Sequence, residues 1–128
     1  MRVFALFFLL LIGAAEPGDQ VLRNRVVEAR MIGWERGDHV RARLEIGGRP
    51  VTALPGDGPI GPFLEVNRTR RVTVRIATVR ATLPEAGRTE IRRITGAWRD
   101  GVTAERWWNR LSPAYQRAVM RRYHEAIG

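Results

Sequence analysis

Two histidines, a single serine and thirteen carboxylates are the side chains of this chain that could move protons or attack a bond, and cysteine is absent. Its absence removes disulfides, thiolate zinc sites and every cysteine nucleophile. His39 falls in a turn, and His124-Glu125 lacks the second histidine of a zinc-protease helix. Ser112 stands directly before Pro113, which explains it as a helix cap, and no G-x-S-x-G elbow surrounds it. A paired-carboxylate hydrolase needs two acids facing each other across a cleft. Here the acids are scattered singly among arginines, as in ordinary surface pairing. The sequence therefore assigns no catalytic residue, no cofactor site and no metal ligand.

Two short patterns resemble functional ones without their context. Residues 55–62, Pro-Gly-Asp-Gly-Pro-Ile-Gly-Pro, are rich in glycine, but a phosphate-cradling loop needs a strand before it and a helix start after it. The segment reads as a surface loop stiffened by Pro59 and Pro62. Asn67-Arg68-Thr69 matches the glycosylation acceptor triplet, a pattern common by chance.

Tryptophan offers a better lead. Trp98, Trp107 and Trp108 lie close in sequence to Arg99, Arg106 and Arg110. Adjacent helical residues point about 100° apart, so Trp107 and Trp108 are not both expected to be fully buried. An exposed tryptophan flanked by arginine can stack on a sugar, sit at a membrane interface or anchor a protein partner. The alternative is that both serve the fold, one capping the sheet core and the other covering its edge. Trp107, Trp108, Arg99, Arg106 and Arg110 are the candidate partner-binding residues.

These side chains need elements to hold them. Val40, Ala42, Leu44 and Ile46 alternate with charged residues, the period-two pattern of a half-buried strand. Gly47-Gly48 then predicts a two-residue hairpin that sets Leu44 opposite Val51 and Ala42 opposite Ala53. Residues 25–34 suit a strand or a helix, and β-branched Val26-Val27 favour the strand. Phe63 to Asn67 and Arg71 to Leu83 predict two more strands. In the longer one the apolar set changes parity after Ile76, which predicts a bulge near Ala77-Thr78. Pro84 to Gly87 reads as a turn, and Thr89 to Trp98 as a further strand that also fits a helix. Asp100-Gly101 ends the sheet; Thr103 caps a short helix, and Ser112-Pro113 starts a longer one. Its stripe of Tyr115, Ala118, Val119, Tyr123, Ala126 and Ile127 predicts an amphipathic helix on the sheet. The expected fold is α+β: a mainly antiparallel sheet of five or six strands, as a small barrel or sandwich, with a C-terminal helical hairpin.

Residues 1–15 have the layout of a cleavable secretory signal: Arg2, an apolar run from Val3 to Ile12, then small residues through Ala15. The run is shorter than a membrane span. Residues 16–24 read as a polar lead-in. Residues 25–128 form a single basic domain, mainly β over 25–98 and helical over 103–127. All 22 basic residues are arginine. Cleavage after Ala15 leaves 21 arginines against 13 acids, a net charge of +8. Such a surplus favours anionic partners. The expected function is non-catalytic: an exported binding or accessory domain, in the periplasm or outside the cell, contacting an anionic envelope component or a protein partner. Nucleic acid belongs to the same class of partner. The alternative is a small secreted hydrolase or toxin-like effector acting on envelope polymer or nucleic acid. No cofactor is expected.

Overall fold

The computed structural model describes residues 20–83 and 87–128. The proposed leader, residues 16–19 of the lead-in and residues 84–86 of the expected turn lie outside the described residues, while residues 20–24 are no polar lead-in but the start of a strand paired along its length with 77–80. Six antiparallel strands form one open sheet in the order β3-β2-β1-β4-β5-β6. They are β1 (Gln20–Glu35), β2 (Arg41–Ile46), β3 (Arg49–Ala53), β4 (Arg71–Leu83), β5 (Gly87–Arg99) and β6 (Val102–Thr103). Among the described residues three helices accompany them: α1 (Ile60–Val66), α2 (Ala104–Arg110) and α3 (Pro113–Ile127). The fold is α+β with helices at its C-terminal end, as the hydrophobic patterning predicts.

The Gly47-Gly48 hairpin forms in the expected register. Leu44 pairs with Val51 and Ala42 with Ala53, and both glycines have positive φ, 58° and 77°. Asp100-Gly101 does not end the sheet. Both residues also have positive φ, 52° and 77°, and turn the chain back into β6.

Bulges shape the sheet. The β1–β2 register skips Ile32, the β1–β4 register skips Leu22, and the β5–β4 register skips Thr95. Leu22 and Ile32 are among the few exposed large apolar residues, because an extra residue in a ladder is turned out of the pleat. The bulge at Ile32 also lets Met31 and Trp34, three apart, face the same side. The one at Thr95 does so for Ile94 and Ala97. The bulge expected in this strand near Ala77-Thr78 is not there: β4 pairs residue by residue, and the extra residues opposite that stretch, Leu22 and Thr95, sit on its two neighbours. Val72, Val74 and Ile76 join the main core; Ala77, Val79 and Ala81 are buried outside it.

The sheet curls until Leu54, just past edge strand β3, forms a parallel bridge with Arg93 of β5. Leu54 N–H donates to the Arg92 carbonyl at 2.8 Å, and Ile94 N–H donates to the Leu54 carbonyl at 2.9 Å. Helix α1 supplies Ile60, Phe63 and Leu64 to the core formed by β1, β2, β4 and β5.

This helix corrects the expected loop at 55–62 and the strand at 63–67. Ile60, Phe63 and Leu64 have the i, i+3, i+4 spacing of a helical face. Pro62 lies in the first turn, where a missing N–H breaks no intrahelical bond. Helix α3 also departs from expectation. It packs chiefly on α1 and partly on β1, not across the sheet. Its inner face is Gln116, Val119, Met120, Tyr123, Ala126 and Ile127, while Tyr115 and Ala118 are exposed. Thr103 and Ser112 cap α2 and α3 as expected, accepting from the N–H groups of Arg106 and Tyr115.

Candidate functional site

The site begins with a buried asparagine at the end of α1. Asn67 is 7% exposed, and its Nδ2 donates to the Phe63 carbonyl at 2.9 Å. That bond fixes the amide, so its Oδ1 accepts from Arg99 Nη1 at 3.3 Å. A side chain held this way leaves no room for a glycan on the folded chain, and the acceptor triplet reads as structural.

Arg99 is the last residue of β5, at the base of the turn into β6. Arg70 follows α1, and Arg110 ends α2. The three arginines line one cleft of ≈ 440 Å³, whose apolar wall includes Phe63, Val66 and Trp107. The Trp107 ring meets Phe63 edge-on, with centroids 5.5 Å apart, and rests against the core. Among the described residues, the one acid lining the cleft is Asp100, whose carboxylate lies 3.8 Å from Arg99 Nε and is 88% exposed. Among the described residues, no carboxylate pairs with Arg70 or Arg110.

The five residues singled out by the sequence thus separate. Trp107, Arg99 and Arg110 share the cleft. Trp108, its ring centroid 6.1 Å from that of Trp107, instead lines an open groove of ≈ 700 Å³ with Met120, Arg117, Arg121 and His124 of α3. Arg106 lines neither. Both tryptophans are half-buried, and neither is fully buried. The sequence reading missed Arg70, Phe63 and Asn67. The basic run Arg68 to Arg71 was the available signal, but with 63–67 read as a strand nothing brought it near Trp107.

A second polar cluster, centred on Glu65, holds the frame. Glu65 is 5% exposed. Its Oε1 accepts from Trp34 Nε1 at 2.9 Å and from Arg68 Nη2 at 2.6 Å, while Arg122 Nε donates to Oε2 at 3.4 Å. Burial alone would raise its pKa. The hydrogen bonds from Arg68 and Trp34, with the charges of Arg68 and Arg122, outweigh that and hold the carboxyl below its ordinary value. This cluster ties α1 to β1 and α3, with each oxygen of Glu65 accepting from an arginine.

His39 and His124 are both exposed, and the described residues contain no group of three or more metal-ligating side chains. No described helix is long and apolar enough to cross a membrane. Comparison of the chain with protein-family models, curated proteins and solved structures finds no match.

Proposed function

We propose that the chain is an exported, non-catalytic binding or accessory domain that holds an anionic envelope component, or an anionic face of a protein partner, in the Arg70–Arg99–Arg110 cleft. The observation that carries this reading is the gathering of three arginines over an aromatic wall with a single, solvent-exposed acid beside them. Among the described residues Arg70 and Arg110 have no carboxylate partner and that of Arg99 is open to solvent, which leaves all three to an outside anion. The apolar wall adds contact area that a diffuse surface charge would not supply.

The test is capture from an envelope extract at low and high salt. Retention should fall as salt rises, because surface charges are screened beyond about 8 Å at physiological ionic strength. Replacing Arg70, Arg99 and Arg110 together by glutamine should abolish it at low salt. Capture that survives both salt and the triple substitution sinks the reading, and turnover of envelope polymer by the purified protein would replace it with the hydrolase alternative.

A further inference from the structure

Resting on that reading of the cleft, we propose that its ligand is a phosphomonoester carried on an apolar or aromatic body. A guanidinium presents a planar fork of donors matched to carboxylate or phosphate oxygens. Three arginines lining one cleft carry more donors than a carboxylate's two oxygens can use. A phosphomonoester has three terminal oxygens and close to two negative charges at neutral pH.

Arg99 is held ready for this role by Asn67, which is itself fixed by the Phe63 carbonyl. Such support makes the fork's direction, and not only its charge, part of the site. Asp100 occupies the Nε edge of that fork from a position open to solvent, so an incoming anion would displace it. Trp107 and Val66, both half-buried, then provide a face for the ester's organic part, with Phe63 buried behind them. A bare phosphate would leave that face unused.

Calorimetric titration with phenyl phosphate, inorganic phosphate and benzoate tests the assignment. Phenyl phosphate should bind best, on the order of tenfold tighter than either of the others. Arg99→Lys and Arg110→Lys keep the charge but lose the fork, and each should weaken phenyl phosphate on the order of tenfold. Asp100→Asn should tighten it severalfold, since asparagine tolerates the left-handed backbone. Arg49→Lys and Asp57→Asn, away from the cleft, should leave it unchanged. Displacement of phenyl phosphate by phosphatidylcholine vesicles containing phosphatidate would identify the ester as a lipid headgroup. Vesicles without effect would identify it as soluble.

Equal binding of phenyl phosphate and benzoate, or lysine variants that bind as the unaltered protein does, would overturn the proposal. If envelope capture requires the three arginines but phenyl phosphate does not bind, the phosphomonoester fails while the anion-binding reading stands. If the glutamine substitutions leave capture intact, both fail.

Discussion

Glu65 is the residue on which β1, α1 and α3 meet, and its position in Phe-Leu-Glu-Val was visible as an acid inside an apolar run. Its partners were not visible, because Trp34 and Arg122 are distant in sequence and come together only through α1. Glu65→Gln should cost about 1–3 kcal/mol at neutral pH, the range for hydrogen bonds to a charged group. The lower half of that range is expected, since the Arg68 and Arg122 side chains are 36% and 56% exposed and water screens them. The pH dependence has a definite sign. Glu65 is held below its ordinary 4.5, so its contribution is present above the unfolded-state value and disappears as pH falls through the lower folded one. Denaturation series run from neutral to acidic pH should show the glutamine variant converging on the unaltered protein below that range. The two tryptophans give the second test at this scale. Trp107 rests against the core and Trp108 does not join it. Trp107→Ala should therefore cost about 2–4 kcal/mol and Trp108→Ala about 1 kcal/mol, both below the full value for a completely buried ring. Thermal melts that rank them the other way would show that α2 is rotated from the orientation described.

Among the elements, those with uninterrupted alternation were legible: β2, β3 and their hairpin follow from period two and paired glycines alone. The ambiguous strands were ambiguous for a physical reason. A bulge places residues three apart on one face, as with Met31/Trp34 in β1 and Ile94/Ala97 in β5, and so breaks the strict alternation by which a strand is recognised. Helix α1 was missed because Pro59 and Pro62 signal a break, although a first turn accommodates proline. That miss also hid the seat of α3, which docks where Gly61 lets the Tyr123 ring approach. A Cβ at Gly61 would run into the Tyr123 ring and hydroxyl, and Tyr123 also packs against Trp34, edge-on at 5.3 Å. Gly61→Ala should thus destabilise the fold by about 1–3 kcal/mol through overpacking. In a Tyr123→Ala background the same change should be neutral or stabilising by up to about 1 kcal/mol, as alanine is the better helix former. Additive costs in that double-mutant cycle would mean that α3 does not rest on α1 at this point.

For the whole molecule, the sequence displayed the positive charge plainly but not its distribution. An arginine surplus can act as a diffuse field, which speeds encounter with any anion, or as a built site, which slows departure of one. The fold makes both available. Arg25, Arg43 and Arg49 are exposed on the strands and line no part of the cleft, whereas Arg70, Arg99 and Arg110 share it. Replacing either trio by glutamine removes the same net charge, so any difference between the two variants comes from placement. The strand trio should lower the association rate for an envelope anion and flatten its salt dependence, with little change in dissociation. The cleft trio should in addition raise the dissociation rate on the order of a hundredfold, as loss of about 3 kcal/mol of charge-assisted hydrogen bonding implies. Surface-immobilised ligand and both variants, measured at two salt concentrations, separate the effects. Matching dissociation rates for the two trios would reduce the cleft to one more patch of a generally basic surface.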